Sequence, residues 1–307
     1  MMFFKLSRSS KIKRILVVSL SNIGDVVLTL PAVDILRAAF PAAEFHLIVG
    51  PKAKSLFDEN PYITRVVVYD KKMSWRGNLD WLLDLRRMRF DLVVDLRNSM
   101  LPFLLNAGTV TFPACSQSKV HMKEKHLARL ACVFDDLKIP AERTAIAVSP
   151  RQRSCVDHLV RGWVDYAVVA PGAADARKRW SEQGFLQVVR HLRSRGQRIV
   201  LVGDQNDKVV GARIAANFSD GVLDLCGQTT LVELADVLAR AALAITNDSG
   251  IMHLASYFNR PVIALFGRTD PFFYGPWSSR CVALRKGTTI DTITPEDVIT
   301  EVDKFLC

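Results

Sequence analysis

The stretch RILVVSLSNIGDVVLTLPAVDILRAAFP, residues 14–41, passes from a continuously apolar, β-branched run through a short polar turn into an apolar-rich helical segment. Runs that are apolar at successive positions suit strands buried on both faces, and strands alternating with helices build parallel sheets. The pattern recurs along the chain. EFHLIVG (44–50), RVVVYD (65–70) and DLVVDL (91–96) extend it through the first half. YAVVAPG (166–172), RIVLVGD (198–204), LAITND (243–248) and PVIALFG (261–267) repeat it in the second, and RCVALRK (280–286) supplies a last strand. The expectation is two α/β domains of similar design. SPRQRSCVDHLVRGWVD (149–165), with Pro150 and several basic residues, interrupts the pattern, so the domains are expected over 1–155 and 156–307. A closing helix is expected over 294–306, with Thr294 as cap, Pro295 in the first turn, and Glu296 and Asp297 near the positive helix end.

With 307 residues, 49% of them apolar, the chain can bury a sizeable core in each domain. Its six cysteines are scattered without a CxxC pair, which fits reduced thiols and a cytosolic protein. MMFFKLSRSSKIKR at the N-terminus lacks the longer apolar stretch of a signal peptide, and no apolar run is long enough to span a membrane. The net charge of +10 is unevenly placed: residues 1–155 hold 24 Lys and Arg against 14 Asp and Glu, whereas 156–307 hold 17 of each. A basic first half favours anionic partners such as lipid head groups or phosphorylated substrates. Nucleic acid is disfavoured, because no recognition helix, RNA-binding motif or aromatic-interleaved basic patch accompanies the charge.

Ligands of open α/β sheets bind where strands end and helices begin, and four such turns stand out. The turn at 19–25 has a single glycine, Gly24, ahead of Asp25; with neither GxGxxG nor a Walker pattern, it is read as a first-turn carboxylate or as a proton acceptor at the sheet edge. APGAADARKRW (170–180) has Gly172 at the strand end and then three adjacent cations, Arg177, Lys178 and Arg179, suited to a phosphate or pyrophosphate. VGDQND (202–207) offers Asp204 or Asp207 to a ribose. In TNDSGIMH (246–253), Asp248 or Ser249 is expected to cap a helix whose first N–H groups form an anion site, with Gly250 admitting a ligand to the backbone and His253 one turn on. Asp248, Ser249 and His253 crowd into one and a half helical turns, which argues against a serine-hydrolase triad. No spacing of His, Cys, Asp or Glu suggests a metal site.

Taken together, IGDVVLTLPAVDILRAAFP, FDLVVDLRNS, APGAADARKRW, IVLVGDQND, TTLVELADVLARAALAITNDSGIMHLA and PVIALFGRTDPFFYGPW resemble glycosyltransferase family 9, the lipopolysaccharide heptosyltransferases, in order from about residue 14 to 277. The resemblance implies a GT-B fold, two Rossmann-like domains facing a central cleft, with acceptor in the first and nucleotide-sugar donor in the second. It implies an inverting transfer from ADP-heptose to an anionic, lipid-linked saccharide, without cofactor or metal, at the cytoplasmic face of the inner membrane. By motif, Asp25 matches the catalytic base and Lys178 the lysine on the donor phosphates. Asp248, Ser249, Gly250 and His253 match the sugar and phosphate motif, Asp207 the acidic residue on the ribose, and Thr229 or Thr230 the adenosine pocket. Ala173 and Ala174 stand where some members have hydroxyl residues, Ser181 where Pro often follows the Trp, and the first half is short for the family. Competing readings are a GT-B sugar-nucleotide hydrolase or epimerase, and a non-catalytic protein binding anionic ligands.

Overall fold

The computed structural model describes residues 12–111, 119–131, 134 and 138–306. Residues 1–11 of the N-terminal stretch and Cys115, Cys132 and Cys307 lie outside these residues, while Cys155, Cys226 and Cys281 are free thiols. Two compact units divide between Ala147 and Val148, ahead of the expected cut at 155. The local reason is that Pro150 does not break the pattern. It opens a helix at its first position, where a missing N–H costs nothing, and Ser149 and Gln152 close a capping box in front of it.

The first unit holds β1 (Arg14–Val18), α1 (Ile23–Ala39), β2 (Glu44–Val49), β3 (Arg65–Val68), α2 (Trp75–Met88), β4 (Leu92–Asp95), α3 (Leu101–Leu104), β5 (Thr109–Val110) and α4 (Met122–Ala131). Its sheet is parallel throughout, in the order β3-β2-β1-β4-β5. Strands β1, β2 and β4 are buried on both faces, as their unbroken apolar runs require. Helix α1 is buried from Val26 to Leu36, Asp34 included. The Asp34 carboxylate accepts from the N–H groups of Thr144 and Ala145, both at 2.8 Å, and the Asn60 amide donates to the Ala145 carbonyl at 2.9 Å. A buried carboxylate so bonded anchors the strand of chain that leaves this unit.

The second unit holds α5 (Pro150–Leu159), β6 (Tyr166–Ala170), α6 (Glu182–Ser194), β7 (Arg198–Leu201), α7 (Lys208–Ala215), β8 (Val222–Asp224), α8 (Leu231–Ala239), β9 (Leu243–Asn247), α9 (Gly250–Tyr257), β10 (Val262–Leu265), α10 (Pro271–Tyr274), β11 (Cys281–Leu284) and α11 (Pro295–Leu306). Its sheet is again parallel, in the order β11-β10-β9-β6-β7-β8. Arg240 bridges Asp157 on α5 and Asp236 on α8, which places α5 in this unit. The closing helix α11 is capped by Thr294 and Asp297 and buries Val298 and Val302 in the same core as Phe185, Val189 and Leu192 of α6.

In each sheet the strand order reverses once, beside β1 and β4 in the first and beside β6 and β9 in the second. The connections on either side of a reversal lead away in opposite directions, leaving a crevice at the strands' carboxyl ends. Among the described residues, no helix is long and apolar enough to cross a membrane.

Candidate functional site

The second unit's crevice is bordered by the turns after β6 and β9, the turns that carry Lys178 and Asp248. Asn247, the last residue of β9 and fully buried, fastens them together. Its side-chain N–H groups donate to the carbonyls of Pro171 (2.9 Å) and Gly172 (3.1 Å), and its Oδ1 accepts from the Trp180 N–H (3.1 Å). Trp180 in turn donates through Nε1 to the Ile293 carbonyl at 2.8 Å and lies edge-on to Phe185, with ring centroids 5.1 Å apart. The 171–180 turn is therefore held at both ends, and Lys178 Nζ is brought to 2.6 Å from Asp248 Oδ2. Asp248 is only 7% exposed and Lys178 34%, so the carboxylate is buried and the ammonium reaches it from the open side.

The three adjacent cations of this turn diverge. Arg177 curls back on Asp175, with side-chain bonds of 2.8 and 3.0 Å that hold the half-exposed Asp175 carboxyl down at about 2. Arg179 donates through Nε to the Ala173 carbonyl at 2.7 Å and so braces the turn. Lys178 is the one cation of the three that meets the β9 turn. Ser181 caps α6, its Oγ accepting from the Gly184 N–H at 3.0 Å, which gives that position a local task that a proline could not perform.

Helix α9 differs from the expectation that Asp248 or Ser249 would cap it. Ser249 occupies the cap position without a side-chain cap bond, and its hydroxyl is buried with no hydrogen-bond partner among the described residues. The first N–H groups of α9, beginning at Gly250, thus have no side-chain acceptor from the cap. His253 is buried one turn on, stacked on the Trp277 ring with centroids 5.4 Å apart. A fixed ammonium, an uncapped helix start and a spare hydroxyl form a set suited to an anion.

Asp207 lies at the next turn, after β7. It is 9% exposed, its Oδ2 accepts from the Asp204 N–H at 2.9 Å, and burial pushes its carboxyl above the usual range against that bond. A Cβ on Gly172 would stand 2.1 Å from this carboxylate, and one on Gly203 2.6 Å from it, so the two glycines make the space it fills. Asp204 accepts from the Asn206 N–H at 2.7 Å. Thr230 is occupied as the cap of α8 in a reciprocal pair with Glu233, at 3.3 and 2.7 Å, while neighbouring Thr229 is half-buried and outside that pair.

In the first unit, Asp25 stands in the first turn of α1, after Gly24. It is half-exposed, and its carboxylate accepts from the Asn22 side-chain amide at 3.0 Å, not from the backbone N–H groups it would bond as a simple cap. The turn before it is fixed from below. The Ser19 and Thr29 hydroxyls lie 2.7 Å apart, and a Cβ on Gly50 would come within 2.6 Å of the Ser21 carbonyl oxygen. A second carboxylate, Asp95 at the end of β4, is buried and fully engaged by the N–H groups of Arg97 and Ser99 and by the Ser99 hydroxyl. Asp25 is thus the available carboxylate of these two turns. Beside them a cavity of about 310 Å³ is walled by Val18, Ile48, Tyr69, Trp81, Arg97 and Leu104.

Sequence reasoning passed over Asn247. Its signal was a lone amide ending an otherwise apolar strand one residue before Asp248.

Residues 83–295 match the model of glycosyltransferase family 9 (heptosyltransferase). The chain is 28% identical to lipopolysaccharide heptosyltransferase 3 of Escherichia coli, over 92% of this chain and 96% of the relative. In fold it is similar to a family 9 glycosyl transferase from Veillonella parvula, with TM-score 0.79, 23% identity, and 98% and 99% of the two chains covered. It is also similar to the E. coli heptosyltransferase WaaC solved with ADP-2-deoxy-2-fluoro heptose, with TM-score 0.72, 20% identity, and 95% and 99% covered. The two parallel-sheet units are those of the GT-B fold. With the family model spanning most of the chain, the protein belongs to glycosyltransferase family 9 and is a glycosyltransferase.

Proposed function

We propose that the protein transfers heptose from ADP-heptose to a lipopolysaccharide core acceptor, inverting the anomeric centre and using no divalent metal. The reading is supported above all by the Lys178–Asp248 pair beside the uncapped start of α9, at the strand-order reversal of the second unit. A donor diphosphate placed there meets a fixed ammonium, N–H groups that the cap side chain does not bond and the Ser249 hydroxyl. These are the charges a departing nucleoside diphosphate needs as the bond from the anomeric carbon to the phosphate oxygen breaks. Relatives of this description are heptosyltransferases, and one neighbour was solved with an ADP-heptose analogue.

Asp25 is the proposed base. As the acceptor hydroxyl oxygen attacks the anomeric carbon, the proton passes to the Asp25 carboxylate and the electron pair of the broken bond leaves with ADP. The first unit is assigned to the acceptor and the second to the donor, with the basic excess of the first half drawing an anionic, lipid-linked saccharide at the cytoplasmic face of the inner membrane. Asp207, Thr229 and His253 are assigned to the donor's ribose, adenosine and sugar surroundings.

The test is transfer from ADP-heptose to a deacylated lipopolysaccharide core in EDTA, for the wild type and Asp25→Asn. Transfer by the wild type, a product of inverted anomeric configuration, and a loss of about 10²–10⁴-fold in kcat with donor affinity unchanged support the reading. Donor consumption without acceptor, at the rate seen with it, would transfer the site to a hydrolase or epimerase.

A further inference from the structure

The described residues include eleven large apolar side chains that are exposed, and six of them lie on or just before two neighbouring helices of the first unit. On α2 these are Trp75 (72% exposed), Leu79 (48%) and Leu83 (41%); on and just before α3 they are Met100, Phe103 and Leu104. Trp75, Leu79 and Leu83 follow at i, i+4 and i+8, so they share one face. Packing does not account for that face. Helix α2 is secured by a different one, through buried Leu85 and partly buried Trp81, Leu82 and Met88. The two helices meet over the same core, since Leu101 and Leu105 pack there and Arg86 on α2 reaches the Asn106 side chain. The apolar surface is therefore continuous with the wall of the 310 Å³ cavity, where Leu82 and Leu104 both appear.

Cations frame this surface. Lys71 and Lys72 precede α2, Arg76 lies in its first turn over the Trp75 ring at 5.2 Å, and Arg86, Arg87 and Arg89 stand at its end, all exposed. Among the acidic residues of the helix, Asp84 is paired with Arg87 at 3.0 Å and Asp80 stands exposed. A tryptophan and leucines on one face, with lysines and arginines flanking them, is the make-up of a helix lying in a bilayer interface, where apolar groups enter the acyl boundary and the cations reach anionic head groups.

We propose that the Trp75, Leu79, Leu83 face of α2, extended by Phe103 and Leu104 of α3, docks this unit on an anionic lipid surface. The location is useful. Helix α2 follows β3 and α3 follows β4, so both start from the carboxyl edge of the sheet that also carries Asp25, and docking there would bring that edge to head-group level. The inference rests on the proposed function only in that the acceptor is lipid-linked, and vesicle binding can be read without donor or acceptor.

The experiment is flotation of the full chain with vesicles of phosphatidylcholine alone and with about one third phosphatidylglycerol, together with ADP titration of each variant as a check on the second unit. The wild type is expected to float with the anionic vesicles, less so in high salt, and weakly or not at all with the neutral ones. The triple variant Trp75→Ser, Leu79→Ser, Leu83→Ser should lose at least tenfold in vesicle partition, and Trp75→Ser alone, at the most exposed position, severalfold, both with unchanged ADP binding. Equal flotation of wild type and variants would overturn the proposal. So would absence of vesicle binding by a wild type that sediments as a dimer which the triple variant splits, since the face would then belong to a second copy. Loss of ADP binding in the wild type itself would count against the donor reading and leave the flotation result standing.

Discussion

Lys178 Nζ lies 2.6 Å from Asp248 Oδ2, joining the turns after β6 and β9 at the point where the strand order of the second sheet reverses. The pair is asymmetric, with the carboxylate nearly buried and the ammonium partly open to solvent. Removing the lysine leaves a buried charge unpaired, which the fold opposes. Lys178→Met is expected to lower stability by about 1–3 kcal/mol and transfer by about 10²–10³-fold. Adding Asp248→Asn should restore most of the stability in urea unfolding but none of the transfer. Recovery of both would make the pair a structural ion pair only.

Asn247 should be as sensitive as any residue that touches substrate. Asn247→Ala frees the carbonyls of Pro171 and Gly172 and the N–H of Trp180 inside the protein, at a cost of about 2–4 kcal/mol. Because the 171–180 turn loses its tie to β9, donor affinity should fall with stability. Isothermal titration at a temperature where the variant is fully folded separates the two; unaltered affinity there would mean Trp180 alone positions Lys178.

Gly172 is required by a neighbour and not by its backbone conformation. A methyl group there would stand 2.1 Å from the Asp207 carboxylate, so Gly172→Ala is expected to cost about 1–3 kcal/mol by overpacking. Asp207→Ala in the same chain opens that space and should return part of the loss in thermal unfolding. A Gly172→Ala protein as stable as wild type would show that Asp207 moves aside freely.

Much of this is legible in the sequence for a physical reason. Strands buried on both faces are written as unbroken apolar runs, and each of the nine expected from such runs is present in a parallel sheet. The strands that went unread, β5 and β8, are the two- and three-residue edges of their sheets, too short for any period to register. Pro150 and its basic neighbours interrupt the apolar pattern, yet the proline's place behind a capping serine makes it a helix start. In the site, Lys178, Asp248 and Ser249 come together at one reversal, whereas Arg177, Arg179 and Thr230 are spent locally on Asp175, Ala173 and Glu233. Which of three adjacent cations faces a ligand depends on the path of a short turn. That path is set by Trp180 at the end of the turn and by Asn247 and Ile293, which hold it from far along the chain.

Stability should fall in mild acid because of His126. Burial in α4, with Arg129 adding repulsion, pushes its imidazole down to about 4. An unfolded chain takes up a proton near pH 6.5, while the folded protein does so only near 4. Stability is therefore complete above about pH 6.5 and declines as pH falls towards 4, by about 3 kcal/mol over that window. His46, lowered in the same direction by burial, adds to the slope. His126→Gln should flatten the dependence of the urea midpoint between pH 7 and 4.5; parallel curves for variant and wild type would assign the acid sensitivity to other groups.

The most direct test of the donor site is calorimetric titration of the wild type and Lys178→Met with ADP, UDP and GDP in EDTA, followed by ADP-heptose. Metal-free binding selective for ADP, strengthened by the attached heptose and weakened at least tenfold in Lys178→Met, is the expected result. Preference for UDP or GDP, or binding indifferent to Lys178, would contradict it.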